Sequence, residues 1–504
     1  MKERRERFTA AAHAGGHRFA FYDIPLLYES TLKLASSRSG GGLDTPVPDP
    51  TPAGVAASAD ASADASADAS NTPTLDESVA VDEQALQAAV RSDFDSVIVC
   101  ACSSAVQSSR VMQRPNMTAA KYKAIRSKQL STPLKRRLAA HVIHTDSGNL
   151  TYLKGQLAAV LERILDSPLG REHWLQWTEH FAVTTGAAGR KVDAVLFDLD
   201  DTLLPVFAPL GKAMHALHEH LQEHMPLTLA TLEMETNKAD QDSSSGRSGD
   251  VNAAPASASA TPSSASGSSS SSGLPKYNLF LRRQIAQISA DKPALAHCLT
   301  ALRREALTPY VHPEEEHRIE ACIQYYLHWR SQVGVHFFED AKQGLQYLRE
   351  EGFITGVLTN GNADIAAFCP VAASYFSSNV TSSSTHSRCS DAASDAATAT
   401  ATAPLFVNAG HIGVGKPSKL AFMAMALLVG INPKRILYVG DNYSHDVEGS
   451  AGAGMHSAWL DRGKSKMSTG AAAGGVELQQ SVTLHSLHPV ELRSKLGSLL
   501  CVEE

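Results

Sequence analysis

Short apolar segments that run directly into polar loops are the feature that most constrains this fold. The clearest are Ala194–Phe197, Ile354–Leu358 and Ile436–Val439, each of a length and composition typical of a buried strand. Helical periodicity marks Asp340–Glu350 and Leu420–Leu428, which lie between these strands. Short strands that alternate with helices predict an α/β fold, in which a parallel sheet carries helices on both faces.

Length and composition narrow the class of protein. The chain has 504 residues, more than one ordinary domain, and its formal charge of -7 gives no reason to expect a nucleic acid or an anionic membrane as partner. No apolar stretch is long enough for a membrane span, and no signal peptide is recognisable. The seven scattered cysteines fit a reducing compartment, so we expect a cytoplasmic protein. Cys100 and Cys102 lie in the apolar run Val97–Cys102, where we expect them to pack a buried strand rather than to bind metal.

Three low-complexity stretches interrupt these patterns. They are rich in Ser, Ala, Gly or Thr and cover residues 36–80, 240–273 and 377–403. Each has too few large apolar side chains to offset the entropy of ordering it, so we predict three disordered inserts. Because structured patterns resume on both sides, the inserts interrupt domains rather than separate them. The small residues at 184–190 are instead typical of a linker between two domains.

Two carboxylates follow the first of the buried strands. Ala194–Phe197 runs straight into Asp198 and Asp200. Ligands of open α/β sheets bind at the carboxyl ends of the strands, and residues two apart in extended chain lean to the same side. This arrangement suits phosphoryl transfer, in which Asp198 attacks phosphorus while Asp200 exchanges protons with the leaving oxygen and with water. The alternative is a strand that ends in an Asp-rich turn.

Polar residues also follow the later apolar segments. Thr359 and Asn360 can hold phosphate oxygens, although Thr-Asn-Gly is equally a good turn. Lys416 would bring a cation to the nucleophile at the start of a helix, or it is a solvated lysine before a Pro-started helix. Asp441 and Asp446 supply oxygen ligands of the kind that Mg²⁺ prefers, or they belong to a Gly-Asp turn. The joint occurrence of these signals in one order, each near a strand end, favours an active site over separate turns.

This series resembles the four motifs of the haloacid dehalogenase superfamily: Asp-x-Asp-x-Thr, a strand-terminal Thr, a Lys, and Gly-Asp with a second Asp further on. The matching residues are Asp198, Asp200, Thr202, Thr359, Lys416, Gly440, Asp441 and Asp446. The resemblance implies a Rossmann-like core at 191–205 and 336–499, an inserted helical cap at 206–335, and phosphatase chemistry through an aspartyl phosphate. It also implies Mg²⁺ bound by Asp198, the Asp200 carbonyl and Asp441, with Asp446 beside them. Dehalogenases of the superfamily lack the second acid, so Asp200 favours a phosphatase.

The predicted cap bears on the substrate. Its helical segments are Phe207–Glu223, Leu295–Leu307 and Glu314–Trp329. A cap that closes over the phosphate pocket favours a small soluble phosphate over a phosphoprotein or nucleic acid. The amino-acid sequences of Thr359–Asp364 and Tyr438–Met455 resemble those of the superfamily branch that contains flavin mononucleotide and sugar phosphatases. Flavin mononucleotide and sugar phosphates are therefore the favoured substrates. A phosphorylated pantetheine or CoA metabolite is the alternative.

Residues 1–183 resemble part of dephospho-CoA kinase. The resemblance rests on Phe21–Glu29, on a lid motif with Arg110 and Arg114, and on a Gln129–Ile143 tail. It implies a partial P-loop-kinase-type α/β domain, lid arginines that neutralise phosphate charge, and a CoA-type ligand. The sequence contains no Gly-rich ATP-binding loop, so we expect no kinase activity from the chain as written. Either this region is a non-catalytic, kinase-derived binding module, or a longer natural chain with an upstream loop is a dephospho-CoA kinase of CoA biosynthesis.

Overall fold

The computed structural model describes residues 82–91, 96–168, 170, 190–245, 275–376, 404–463 and 481–500. The predicted inserts at 36–80 and 377–403, and the kinase-like segment Phe21–Glu29, lie outside these residues. The chain divides into two compact units, Met1–Gln156 and Leu157–Glu504. Within the described ranges, no helix combines the length and apolar character needed to cross a bilayer.

The first unit contains a pair of short parallel strands, β1 (Ile98–Ala101) and β2 (His141–His144). The helices that begin in this unit are α1 (Glu83–Arg91), α2 (Ser104–Met112), α3 (Ala119–Arg126), α4 (Thr132–Leu138) and α5 (Leu150–Asp166). The prediction that Cys100 packs inside a buried strand is wrong. Cys100 is exposed, whereas the next residue, Ala101, is buried. Successive side chains of a strand point to opposite faces, and the described residues cover the face that carries Ala101.

The second unit is built on a parallel sheet of six strands within the described part of the chain. They are β3 (Ala194–Phe197), β4 (Ile354–Thr359), β5 (Phe406–Asn408), β6 (Ile436–Gly440), β7 (His456–Leu460) and β8 (Val482–Leu484). Their order is β5-β4-β3-β6-β7-β8, so the fully buried strand β3 lies between β4 and β6. Parallel pairing therefore brings the carboxyl ends of these three strands together at one edge. The predicted α/β fold with a Rossmann-like core is confirmed.

Helices between β3 and β4 form the cap. They are α6 (Phe207–His224), α7 (Pro226–Ser245), α8 (Tyr277–Asp291), α9 (Leu299–Leu307) and α10 (Ile319–Ser331), with short 3₁₀ turns at Pro293–Leu295, Thr308–Tyr310 and Pro313–Arg318. They share an apolar cluster that includes Leu217, Tyr277, Ile323 and Tyr326. This cluster is separate from the clusters under the sheet, because the cap helices bury their apolar faces against one another.

Helix α7 was not predicted, and it shows that the insert at 240–273 was predicted to begin too early. The helix continues to Ser245. Its first turn is capped by Glu315, whose carboxylate accepts hydrogen bonds from the backbone N–H groups of Leu227 at 3.0 Å and Thr228 at 2.8 Å. A capping side chain from a distant part of the chain satisfies the free N–H groups at the start of a helix but leaves no local sequence signal. Helix α8 was also missed, and the predicted helix at Leu295–Leu307 begins only at Leu299.

The remaining helices cover the two faces of the sheet. They are α11 (Glu339–Glu350), α12 (Ile365–Phe368), α13 (Pro370–Ala373), α14 (Ala409–Ile412), α15 (Lys419–Val429), α16 (Gly449–Gly452) and α17 (Pro489–Leu500), with 3₁₀ turns at Gly334–His336 and Pro433–Arg435 and a π-helical turn at Tyr443–Glu448. Alternate residues of β3 enter different clusters, Val195 and Phe197 on one face and Ala194 and Leu196 on the other. Because both faces of β3 are buried, the strand is apolar throughout, and the first polar residue after it lies at the carboxyl edge of the sheet.

Candidate active site

Asp198 continues directly from β3 at the carboxyl edge of the sheet. Its backbone N–H donates to the carbonyl of Val439 at 2.9 Å, which carries the pairing of β3 and β6 one residue further. Asp201 then adopts a φ of 60°, and its N–H donates to the carbonyl of Leu204 at 2.7 Å. The chain turns sharply here, and Asp198 and Asp200 make contacts with different partners.

Lys416 is the cation that contacts Asp198. Its Nζ donates to Asp198 Oδ1 at 2.6 Å, to Asp446 Oδ1 at 2.7 Å and to the hydroxyl oxygen of Tyr438 at 3.0 Å. The Tyr438 hydroxyl in turn donates to the carbonyl of Leu358 at 2.7 Å. Lys416 is buried, so its three hydrogen bonds compensate for the loss of water around the ammonium group.

Asn360 holds the backbone of Lys416 from the neighbouring strand end. The backbone N–H of Lys416 donates to Asn360 Oδ1 at 2.8 Å, and Asn360 Nδ2 donates to the Lys416 carbonyl at 2.9 Å. These reciprocal bonds link the loop after β4 to the loop before α15. The predicted contact of Asn360 with a substrate phosphate stays a prediction.

The loop after β6 brings Asp441 and Asp446 to the same place. The Asp446 side chain points back towards the end of β6, where its Oδ2 accepts a hydrogen bond from the backbone N–H of Asn442 at 2.9 Å. Gly440 makes this approach feasible, since a Cβ at that position would lie 2.3 Å from the Asp446 carboxyl group. Asp441 Oδ1 accepts from the Thr202 hydroxyl at 3.3 Å, which ties this loop to the one that follows β3.

The carboxylates of Asp198, Asp441 and Asp446 form one cluster, with an oxygen of each within 4.8 Å of the others. Burial raises the pKa of Asp198 well above its usual range, although Lys416 opposes this. Burial and the neighbouring Asp446 also raise the pKa of Asp441, to about 7. Burial alone would lower the pKa of Lys416, but Asp198 and Asp446 raise it further than burial lowers it, so the lysine is charged. When ionised, the three carboxylates carry more negative charge than one lysine offsets, and this donor set fits a hard divalent cation such as Mg²⁺.

Asp200 instead faces the end of the cap helix α10. Arg330 Nη2 donates to Asp200 Oδ1 at 2.8 Å and to Oδ2 at 2.6 Å, and Arg330 is 3% exposed. On the core side, a Cβ at Gly361 would lie 2.6 Å from Asp200 Oδ2 and 3.1 Å from Thr359 Oγ1. Thr359 Oγ1 accepts from the Gly361 N–H at 2.9 Å. Asp200, Thr359 and Arg330 therefore surround the Cα of Gly361.

The structure adds two residues that the sequence analysis did not identify. Arg330 occupies a core position of α10, one turn after Tyr326 and in line with buried Cys322 and Ile323. A charged residue within such an apolar stripe was the available signal. Tyr438 lies in the middle of an apolar strand, where its hydroxyl needs a partner, but nothing local indicated that the partner is Lys416.

The N-terminal residues predicted from the kinase resemblance have local partners. Arg110 Nη2 donates to the carbonyls of Thr145 at 2.7 Å and Asp146 at 3.2 Å, so this guanidinium binds the loop after β2. Arg114 is exposed. The kinase resemblance and a CoA-type ligand for this region stay predictions.

The second unit thus combines a parallel α/β sheet, helices inserted after its central strand, and a cluster of carboxylates at the carboxyl edge of the sheet. The sequence model of the haloacid dehalogenase-like hydrolases matches residues 192–454. This chain belongs to that family of hydrolases.

Individual relatives match over parts of the chain. It is 37% identical over 59 residues to a phosphoserine phosphatase of Thermus thermophilus, which is 12% of this chain and 24% of that protein. The structure resembles a 2-haloacid dehalogenase of Pseudomonas syringae pv. Tomato with 22% identity and a TM-score of 0.37, covering 59% of this chain and 96% of the other. It also resembles a haloacid dehalogenase-type phosphatase of Thermococcus onnurineus with 16% identity and a TM-score of 0.33, covering 61% and 100%.

Removing the Lys416 charge tests the charge balance of this cluster. In a chelator-containing buffer at pH 7, Lys416→Met should lower the free energy of unfolding by about 3–5 kcal/mol, because it leaves buried carboxylates without their cation. Burial raises the pKa of Asp198 and Asp441, so protonation of these carboxyl groups stabilises the folded variant. The deficit in its free energy of unfolding should therefore shrink as the pH falls towards 5. Urea unfolding at both pH values measures this. Lys419→Met, at an exposed neighbouring lysine, is the control. A deficit equal to that of the control would contradict the account.

Proposed function

We propose that this chain is a Mg²⁺-dependent phosphomonoesterase that acts through an aspartyl-phosphate intermediate on Asp198. The observation that carries the proposal is the separation of two nearby carboxylates into different environments. Asp198 contacts Lys416 and the acidic cluster, whereas Asp200 is paired with Arg330. Two carboxylates with different surroundings can act as nucleophile and as proton-transfer group in one reaction.

In the first half of the proposed reaction, an oxygen of Asp198 attacks the phosphorus of the ester. The bond between phosphorus and the leaving oxygen breaks, and Asp200 supplies a proton to that oxygen. Lys416 and the Thr359 hydroxyl hold the phosphoryl oxygens, and both adjoin the carboxylates that react. The product of this half is an acyl phosphate on Asp198.

In the second half, water attacks the phosphorus of the acyl phosphate. Asp200 accepts a proton from this water, the bond to the Asp198 oxygen breaks, and inorganic phosphate leaves. Mg²⁺ held by Asp198, Asp441 and Asp446, together with the Asp200 carbonyl, would offset the repulsion between the carboxylates and the phosphate. The presence of Asp200 supports a phosphatase rather than a dehalogenase, which has no leaving oxygen to protonate.

The nucleophile is tested by hydrolysis of p-nitrophenyl phosphate in the presence of Mg²⁺. Asp198→Asn should lower kcat on the order of 10⁶-fold, the scale on which loss of a nucleophile acts in enzymes. Chelation of divalent cations should abolish wild-type turnover, and added Mg²⁺ should restore it. Asp291→Asn, at an exposed cap residue that accepts from Gln287 at 3.0 Å, is the matched control and should retain full activity. A wild-type protein that is inactive on every phosphomonoester tried would exclude this function.

The cap supports a small soluble substrate. Helix α10 brings Arg330 against the catalytic carboxylate, and Asn362 Nδ2 on the core donates to Thr300 Oγ1 of α9 at 3.4 Å. Cap residues this close to the phosphate site leave little room for a folded phosphoprotein. Local sequence favours flavin mononucleotide or a sugar phosphate, and the resemblance to a phosphoserine phosphatase adds that free amino acid ester.

A substrate panel tests the size argument. Flavin mononucleotide, sugar phosphates, free phosphoserine and phosphorylated pantetheine should include the best substrate, with kcat/KM well above that of a phosphoserine-containing peptide. Asp198→Asn run in parallel corrects for contaminating phosphatases. A kcat/KM for the peptide equal to that for the best small ester would contradict the role assigned to the cap.

A further inference from the structure

The contact between Arg330 and Asp200 stands outside the motifs that identify the family. Arg330 is in the last turn of α10, and one of its nitrogens bonds both oxygens of the Asp200 carboxylate. The backbone of Gly361 approaches the same pair, because a Cβ at that position would lie 2.6 Å from Asp200 Oδ2 and 3.3 Å from Arg330 Nη2. The Asp200 carboxylate therefore lies against both a cap residue and the loop after β4.

The position of Arg330 is itself determined by its neighbours. The hydroxyl oxygen of Ser331 accepts from the backbone N–H of Asp364 at 2.8 Å, and Gln332 Nε2 donates to the carbonyl of Phe368 at 2.9 Å. These bonds attach the end of α10 to the core. One turn earlier, the ring of Tyr326 has the guanidinium of Arg303 4.1 Å from its centroid. Because Arg330 is buried on an anchored helix end, its side chain loses little further entropy when it binds Asp200.

The buried guanidinium of Arg330 is not explained by the stability of the fold. Arg330 Nη1 is buried and makes no hydrogen bond within the described residues. A buried ion pair rarely stabilises a fold more than apolar residues of similar size would. A buried arginine in this position, with one nitrogen that has no hydrogen-bond partner in the described residues, is therefore better explained by an effect on Asp200 than by an effect on folding.

We propose that Arg330 is the positioning residue of Asp200 and acts in the second half of the reaction, when Asp200 accepts the proton of the attacking water. The inference rests on the proposed phosphatase function. Arg330 Nη2 contacts both oxygens of Asp200, so the guanidinium sets the direction in which this carboxyl group faces the attacking water. Because the cap supplies Arg330, hydrolysis of the aspartyl phosphate requires the docked position of α10.

Pre-steady-state hydrolysis of p-nitrophenyl phosphate separates the two halves of the reaction. The nitrophenolate leaves without a proton, so the first half does not need Asp200, and it is seen as a burst of colour. In Arg330→Met the burst should remain, stoichiometric with active sites, while the later steady-state rate falls about 10²-fold, the lower end of what a general base contributes. Phosphorylated enzyme should accumulate and be visible by mass spectrometry of the quenched protein.

A control variant and a comparison variant make the result decisive. Arg304→Met removes another cap arginine, which pairs with Glu320 at 2.8 Å on the surface, and should behave as the wild type. Asp200→Asn should reproduce the Arg330→Met pattern. Burst and steady-state rates that fall by the same factor, or that do not change, would overturn the inference. Should Arg330→Met fail to fold, Arg330→Lys is judged by the same criterion. A wild-type protein without turnover would refute the proposed function itself.

Discussion

Neutralisation of buried negative charge by Lys416 is the interaction on which the catalytic edge of the sheet depends. The ammonium group lies between Asp198 and Asp446, and each carboxylate comes from the end of a different strand. Burying carboxylates together is costly unless a cation accompanies them, so the lysine lowers the cost of bringing Asp198 and Asp446 together. The reciprocal bonds with Asn360 place that lysine from a third strand end.

This charge arrangement has a direct consequence for chemistry. Lys416 offsets part of the carboxylate charge, and the remainder, spread over Asp198, Asp441 and Asp446, suits a divalent cation. Asp200 is set apart from this cluster by its pairing with Arg330. In the proposed reaction, the core therefore supplies the nucleophile and the electrostatic environment, whereas the cap supplies Arg330, the partner of the second carboxylate.

The core and its motif residues could be predicted from sequence because their signals are local. The strand Ala194–Phe197 is apolar throughout and Asp198 follows it directly, so the end of the strand and the candidate nucleophile are adjacent in the sequence. Arg330 and Glu315 could not be assigned in this way. Each acts on a group far along the chain, Asp200 or the start of α7, and neither partner is indicated by periodicity or spacing. Cys100 was misjudged because composition does not reveal which face of a strand is covered.

In the proposed reaction, Asp198 carries the phosphoryl group during turnover. This role is tested most directly by rapid acid quench of the enzyme with excess p-nitrophenyl phosphate and Mg²⁺, followed by peptide mapping with mass spectrometry. The account predicts a phosphate on the peptide that contains Ala194–Phe197 and Asp198, localised to Asp198 and absent from Asp198→Asn. Turnover with no phosphorylated peptide, or with the phosphate on a different residue, would contradict it.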